Sequence, residues 1–347
     1  MPLRQPITTK DQAQPPFFVG VDVGGTNIKI GVVDDRGGTL AYGKFPNDVT
    51  KGPELAVQQM ANTVQRLLAE ACIENNEVAR IGLGTPGTMD IPAGRLLEPP
   101  NLPGWENFPI RDQLSDLCQL PVTFANDAGA AAFGEYWQGS GQGQHNMVLL
   151  TLGTGIGGGI IVDGRSIDGE HSCGAECGHI VIDYHDDARK CPCGHTGHLE
   201  AYAGGHAVIK RSQEALATGR ASSLTARIAQ SEPLTPLLVA QEAEKGDPLA
   251  LEIVLETARY IGIGIVSLMH TLDPSAVILG GAMNFGGRDS DLGRRFLARI
   301  HAEVHQRAFP IPAAQTKIDF AQLGGDAGYI GAAGLARKDF QRQRKSN

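Results

Sequence analysis

Four soft metal ligands fall between residues 179 and 198 of this chain: His179, Cys191, Cys193 and His198. Two thiolates and two imidazoles complete the tetrahedral shell of a structural zinc ion. The Cys-x-Cys spacing is tighter than the usual two to four intervening residues, so buried thiols beside surface histidines remain an alternative. We expect a metal that fixes the loop around it.

A glycine-dense loop at residues 151–160 precedes these ligands and contains Gly153, Thr154 and Gly155. The backbone amides of such a loop can surround a phosphate. The loop formally matches GxGxxG, but a strand-like segment follows it, where a dinucleotide site requires a helix. We therefore predict a β-hairpin phosphate loop.

A second glycine turn carries Asp22, Gly24, Gly25, Thr26 and Lys29. Its amides and the threonine hydroxyl can donate to a phosphate, and the aspartate can hold Mg²⁺, often through water. An ordinary hairpin turn would look the same in sequence.

Asn126 and Asp127 follow a buried strand at residues 121–125 and precede a helix-like run. Open α/β sheets bind their ligands at this end of a strand. Asp127 can accept the proton of a hydroxyl group while Asn126 hydrogen-bonds the substrate. Alternatively, Asp127 only caps the helix.

Three further polar residues can contact a polyhydroxy substrate. Glu176 and Glu200 flank the metal ligands and can accept hydrogen bonds from hydroxyl groups, although solvated surface glutamates are the simpler interpretation. Asn101 lies in a loop before Trp105, and this loop can close over a sugar or be a plain proline turn. Together the motifs predict phosphoryl transfer to a polar substrate.

The elements that must position these residues follow a recurring order of strands, a glycine turn and helices. Apolar segments joined by short turns at 17–23, 28–33 and 39–45 predict antiparallel strands. Helical spacing or composition predicts helices at 54–72, 205–217, 223–230, 234–244, 247–271 and 327–338. Short apolar runs predict strands at 78–83, 121–125, 147–152, 159–162 and 276–279.

This order predicts two α/β lobes with a cleft between them. Residues 1–16 form a flexible tail, and residues 17–125 form a small lobe that includes a C-terminal helix at about 325–338. Residues 126–324 form a large lobe that carries the metal loop at 179–198.

Bulk properties exclude several classes of protein. The net charge of −8 argues against nucleic-acid binding, and no apolar run of about 18 residues predicts a membrane span. The N-terminus lacks the apolar core of a signal peptide, so we expect a cytoplasmic protein. The remaining cysteines are predicted to be buried thiols: Cys72, Cys118, Cys173 and Cys177.

Taken together, the chain resembles the ROK family of sugar kinases, within the actin/hexokinase/Hsp70 ATPase superfamily, from about residue 17 to 338. The segments that carry the resemblance are 22–29, 84–87, 126–127, 153–158, 176–179 and 191–200. It implies a two-lobed actin-like ATPase of ribonuclease H-like fold, with mixed sheets and an interlobe cleft.

The resemblance also implies roles for individual residues. Asp127 is the base for the 6-hydroxyl of a hexose, and Mg²⁺ bridges the phosphates of ATP. The loops at 24–26 and 153–155 hold those phosphates, and Gly280 and Gly281 line the adenosine pocket. The sugar hydroxyls are contacted by Asn101, Asn126, Glu176, His179 and Glu200, with His179 also a zinc ligand.

Two positions depart from the family pattern. His198 stands where the family usually has its third cysteine, so we expect a Cys₂His₂ zinc site. Ala175 stands before Glu176 where many members have glycine.

Within the family, the resemblance favours phosphorylation of glucose to glucose 6-phosphate. A kinase of N-acetylmannosamine or N-acetylglucosamine is the alternative, and the donor can be ATP or polyphosphate. A sugar-responsive repressor is disfavoured, because the 16 residues before Phe17 are too few for a winged helix. An ATPase with a non-catalytic second ligand is disfavoured by the asparagine–aspartate pair. A homodimer is the family's common state.

Overall fold

The computed structural model describes residues 7–99 and 102–346. Elements are numbered in chain order. The strands are β1 (Phe17–Val23), β2 (Asn27–Val33), β3 (Thr39–Pro46), β4 (Val78–Thr85), β5 (Met89–Asp90), β6 (Arg95–Leu96), β7 (Val122–Asn126), β8 (Met147–Leu152), β9 (Ile156–Val162), β10 (Arg165–Ser166), β11 (Ala276–Gly280) and β12 (Lys317–Phe320).

The helices alternate with these strands. They are α1 (Pro53–Glu70), α2 (Ile110–Cys118), α3 (Asp127–Gln138), α4 (Glu200–Ala203), α5 (Gly205–Ala217), α6 (Ser223–Ala229), α7 (Pro236–Glu244), α8 (Pro248–Leu272), α9 (Asp291–Arg307), α10 (Pro310–Gln315) and α11 (Ala327–Ser346). In the described part of the chain no helix has the length and apolar character that a bilayer span requires.

One five-stranded sheet has the order β3-β2-β1-β4-β7. The first three strands are antiparallel neighbours, as the short turns predict, and β4 and β7 run parallel to β1. The register places Asp22 of β1 opposite Lys29 of β2. This sheet ends in β7, whose last residue is Asn126.

The second five-stranded sheet has the order β10-β9-β8-β11-β12. Its strand β9 begins at Ile156, three residues earlier than predicted. The reason is visible at Gly159, where a Cβ atom would lie only 2.7 Å from the Ala128 carbonyl oxygen of α3. Glycine is therefore needed at this position of β9 so that α3 can pack closely against the strand. The loop that can surround a phosphate is limited to residues 153–155.

The chain forms two compact units. The first comprises residues 1–143, 159–175 and 322–347, and the second comprises residues 144–158 and 176–321. These boundaries differ from the predicted ones, because α3 and residues 159–175 group with the first unit. The cause is close packing of α3 on α11: at Gly331 a Cβ atom would overlap the Ala130 carbonyl oxygen.

A buried carboxylate fixes the segment that leads into α11. Glu135 is fully buried, and its oxygens accept hydrogen bonds from the backbone N–H groups of Ser140, Gln322 and Leu323 at 2.7–3.1 Å. A buried charge is tolerated here because several donors replace its hydration. Glu135 thus holds together the end of α3 and the start of the C-terminal segment.

Candidate active site

The four predicted metal ligands come together in the second unit. The ligand atoms of His179, Cys191, Cys193 and His198 all lie within 4.8 Å of one another. The two Nδ1 atoms are 3.2 Å apart, Cys193 Sγ is 3.2 Å from His198 Nδ1, and Cys191 Sγ is 3.7 Å from His179 Nδ1.

These separations fit a tetrahedral zinc site. Zinc bonds of about 2.0 Å to nitrogen and 2.3 Å to sulfur give ligand–ligand edges of about 3.3–3.8 Å. The donor set is also the soft one that zinc prefers. His198 takes the place of the third cysteine without distorting the cluster.

The loop between the ligands is held by backbone contacts. Gly197 accepts hydrogen bonds from Ile182 and Asp183, and its φ of 80° belongs to the left-handed region that favours glycine. The Tyr202 hydroxyl donates to the Asp183 carboxylate. The ligands therefore sit on a loop that is anchored to helix α4.

Burial acts on the protonation of the cluster. It raises the pKa of the Cys191 thiol to about 12, so the thiolate form needs a cation beside it. Burial and the neighbouring imidazole of His179 lower the pKa of His198, which favours the neutral, ligating ring. The effect on His198 suits a bound cation, whereas Cys191 must release its proton when a cation binds.

Glu200 connects the cluster to the glycine loop. One carboxylate oxygen accepts the backbone N–H of Ile156 at 2.8 Å, and the other lies 3.7 Å from Cys191 Sγ. At Gly155 a Cβ atom would overlap that same carboxylate, so glycine is required there. The predicted sugar contact and the predicted phosphate loop are therefore in direct contact.

The glycine loop is tied in turn to the start of α5. Gly205 N–H donates to the Gly153 carbonyl at 2.9 Å, and His206 Nδ1 is 2.9 Å from the Thr154 carbonyl oxygen. Because a carbonyl only accepts, Nδ1 carries the proton and Nε2 is the acceptor of the neutral ring. Nε2 is buried without a partner among the described residues.

His206 lines a cavity of about 470 Å³ in the second unit, next to the loop. A nucleoside fits a cavity of this size, which lies within the usual range for ligand pockets. The wall is completed by residues that the sequence analysis did not identify: Ile209, Thr235, Pro236, Leu237, Ala240, Gln241, Glu244, Met283 and Phe285. The sequence signal that could have indicated this cavity was a histidine directly after the paired glycines 204–205.

Gly280 and Gly281 directly precede the cavity wall, which at this segment begins with Ala282 among the described residues. Gly281 has a φ of 90°, and a Cβ atom there would lie 2.6 Å from the Leu152 backbone nitrogen. Glycine at position 281 therefore lets the end of β11 pass close to β8, and the implied contact of the two glycines with adenosine stays a prediction.

Glu176 lies beside the metal cluster, with its Oε2 atom 3.9 Å from His179 Nε2. His179 therefore turns Nδ1 toward the cluster and Nε2 toward a carboxylate, an arrangement common for metal-ligating histidines. The preceding Ala175 has a φ of 63°, which explains why glycine is favoured at this position.

The other glycine turn lies in the first unit. Lys29 Nζ is 3.2 Å from Asp22 Oδ2 and donates to the Gly325 carbonyl at 2.8 Å. Burial raises the pKa of Asp22, and the charge of Lys29 opposes this rise. The turn at residues 24–26 is held by Asn47, whose amide donates to the Gly24 carbonyl at 2.8 Å.

Asn126 and Asp127 occupy the end of β7 and the first position of α3. The Asn126 side-chain oxygen accepts the N–H groups of Ala128 and Gly129 at 2.9 and 3.2 Å. Asn126 is therefore the N-cap of α3. Asp127 Oδ1 also accepts the Ala128 N–H at 2.8 Å.

Each unit thus assembles its own part of the predicted set. The first brings Asp22 and Lys29 together and, at another strand end, Asn126 and Asp127. The second joins the metal cluster, Glu200 and the loop at 153–155. Asn101 lies outside the described residues.

The predicted burial of the other cysteines is correct for two and wrong for two. Cys118 and Cys177 are buried, and burial raises their pKa values to about 11 and about 12. Cys72 and Cys173 are exposed. Cys72 lies after the last turn of α1 with a φ of 55°, so its side chain leaves the apolar stripe of that helix.

Residues 18–339 match the model of the ROK family. The chain belongs to the ROK family. The match to the family model therefore spans nearly the whole sequence.

Members of the ROK family with known names align over nearly all of this chain. A glucokinase of Halalkalibacterium halodurans is 33% identical over 331 residues, covering 95% of this chain and 98% of the relative. The crystal structure of a ROK family glucokinase from Streptomyces griseus in complex with glucose and AMPPNP has a TM-score of 0.71 at 33% identity, covering 93% and 99%. The predicted actin-like ATPase fold is confirmed.

The ROK family also contains regulators. A xylose repressor of Caldicellulosiruptor bescii is 27% identical over 338 residues, covering 97% of this chain and 82% of the repressor. The relatives as a group support a sugar kinase activity.

Proposed function

We propose that this ROK protein transfers the γ-phosphoryl group of ATP to the 6-hydroxyl of a hexose, with glucose as the preferred acceptor. The observation that carries the proposal is the position of Glu200, between the metal cluster and the glycine loop. One side chain links the sugar-binding and phosphate-binding elements of the second unit.

ATP occupies the cavity beside His206 in this proposal. The nucleobase or ribose provides the hydrogen-bond donor that the buried Nε2 atom lacks among the described residues. The amides of residues 153–155 and 24–26 hold the phosphates. Asp22 would hold Mg²⁺, and the ion would neutralise the charge of the phosphates.

The residues proposed to contact the hexose, as the family resemblance implies, are Glu176, His179, Glu200, Asn101, Asn126 and Asp127. His179, Cys191, Cys193 and His198 hold zinc, which fixes the loop that presents these side chains. The residues present fit the ion by donor type and by separation.

Asp127 removes the proton of the 6-hydroxyl as the bond from that oxygen to phosphorus forms. The bond between the γ-phosphorus and the bridging oxygen breaks, and ADP leaves with the electron pair. The products are a hexose 6-phosphate, ADP and the proton on Asp127. Positioning and charge neutralisation supply most of the rate, so a carboxylate is a sufficient base.

Asp127→Asn tests the role of the base. The amide keeps the size of the side chain and still accepts the Ala128 N–H, so we expect unchanged sugar binding and a kcat lower by about 10²- to 10⁴-fold. Binding is measured by calorimetry and turnover by ADP release. Asp116→Asn, on the exposed face of α2, is the control. A near-normal kcat for the Asp127 variant contradicts the assignment.

The acceptor is tested by ADP release with glucose, mannose, fructose, N-acetylglucosamine and N-acetylmannosamine. We expect the highest kcat/KM on glucose, and ATP rather than polyphosphate as the better donor. Preference for an N-acetyl sugar would leave the proposed site residues unchanged and would replace glucose as the proposed substrate. Sugar binding without turnover on any acceptor would indicate a regulator.

A further inference from the structure

A second polar cavity lies in the first unit, behind the strand that leads to Asn126. Its volume is about 250 Å³, and its walls come from β7, from the segment around β10 and from α11. Drug-sized ligands occupy cavities of about 300–1,000 Å³, so this one admits a small metabolite. The proposed kinase reaction assigns it no role.

Three cationic side chains line this cavity: Arg165, Lys338 and Arg342. Lys338 is half-buried, and its pKa is lowered by burial and then by neighbouring positive charges. In the described part of the chain its ammonium group makes no hydrogen bond or ion pair. A partly desolvated cation among like charges is unfavourable unless an anion accompanies it.

Two carboxylates line the same cavity, and one of them, Asp339, lies 3.7 Å from the Arg342 guanidinium. Asp168 Oδ1 accepts from the Ser166 hydroxyl at 3.3 Å, and Asp339 Oδ2 accepts from the Thr123 hydroxyl at 2.8 Å. Burial and the charge of Asp339 raise the pKa of Asp168. Carboxylates are poor partners for a bare phosphate but good acceptors for hydroxyl groups.

The wall also contains a glycine that leaves room for a ligand. Gly164 has a φ of 68°, and a Cβ atom there would lie 2.8 Å from the Tyr136 hydroxyl and 3.7 Å from Lys338 Nζ. A larger residue would therefore be strained and would approach the lysine. Glycine at this point keeps the cationic end of the cavity open.

We propose that this cavity binds a small phosphorylated polyhydroxy compound, such as a hexose phosphate. The phosphate contacts Arg165 and Lys338, and the hydroxyl groups contact Asp168 and Asp339. Cations and carboxylate acceptors in one cavity select for a ligand that has both a phosphate and hydroxyl groups. The proposal does not depend on the proposed kinase activity.

The test is calorimetric titration of the full chain with glucose 6-phosphate, with glucose and AMPPNP present at saturation so that the proposed active site is occupied. We expect one binding event that Lys338→Ala and Arg165→Ala each weaken at least tenfold. Lys44→Ala is the matched control, since Lys44 is an exposed lysine of β3 outside the cavity wall, and it retains binding. Thermal melting confirms that the variants are folded.

A titration with inorganic phosphate under the same conditions tests the contribution of the hydroxyl groups, and we expect it to bind at least tenfold more weakly than glucose 6-phosphate. Equal affinity for inorganic phosphate would overturn the polyhydroxy part of the proposal. Absence of binding, or unchanged affinity in both cavity variants, would overturn the site. The turnover of the Asp127→Asn variant tests only the kinase proposal and does not test binding in this cavity.

Discussion

Replacement of His198 tests whether the cluster in the second unit is a metal site. His198→Ala removes a nitrogen that lies 3.2 Å from both His179 Nδ1 and Cys193 Sγ. Structural zinc sites in small peptides bind with about 10–16 kcal/mol, so an equal share for one of four ligands is about 2.5–4 kcal/mol. We therefore expect zinc affinity to fall about 100- to 1,000-fold.

Two further variants sharpen this experiment. His198→Cys restores the cysteine that the family usually has here, and we expect it to retain zinc affinity within about tenfold of the parent. His195→Ala is the control, because His195 lies in the same loop with its ring centroid 6.0 Å from that of His198, outside the cluster.

The assay combines metal content by mass spectrometry with competition against a chromophoric chelator. A second readout is kinetic: His198→Ala raises the KM for the sugar and leaves the KM for ATP nearly unchanged, because the loop presents Glu176 and His179. Zinc affinity that is equal in His198→Ala and the parent would refute the metal site. Parent protein that folds and binds sugar normally with its metal stripped would refute the role of the metal in the loop.

Two other substitutions test contacts within each unit. In Gly155→Ala the new Cβ atom displaces the Glu200 carboxylate from the Ile156 N–H, so the KM for the sugar rises about 10- to 100-fold, the loss of one charged hydrogen bond. Gly153→Ala, where a Cβ atom meets nothing within 4 Å, leaves this KM unchanged, and equal effects in the two variants would contradict the argument. In Glu135→Gln a buried amide group faces backbone donors, so we expect the free energy of unfolding, measured in urea, to fall by about 2–4 kcal/mol. Glu54→Gln on the exposed surface of α1 loses less than about 0.5 kcal/mol, and a similar small loss at Glu135 would contradict its role.

The features that were predicted well from the sequence depend on residues that lie close together along the chain. Short turns between alternating strands require β1, β2 and β3 to pair in sequence order, and they do. The metal cluster was predicted because its donors fall within one loop. Helix α9 was not predicted, although Leu292, Phe296, Ile300 and Val304 recur every four residues and are all buried.

What sequence did not predict depends on contacts between distant segments. The nucleoside-sized cavity takes its wall from residues near 153, 206, 236 and 283, and no local pattern relates them. The division into compact units differs from the predicted lobes because α3 packs on α11, about 190 residues later in the chain. The backbone angle of Gly281 likewise serves the packing of two strands, a contact that no local pattern shows.

The position of α11 sets an order on the synthesis of this protein. At Gly20 of β1 and Gly82 of β4 a Cβ atom would overlap backbone carbonyl oxygens of α11, so this helix lies directly on both strands. Residues 327–346 are translated after the entire second unit. The face of the sheet on which α11 lies therefore stays partly open while about 180 further residues are made, although α3, which meets the same face at Gly84 of β4, is made earlier. During that interval the apolar residues of β1 and β4 are surfaces that a chaperone would bind.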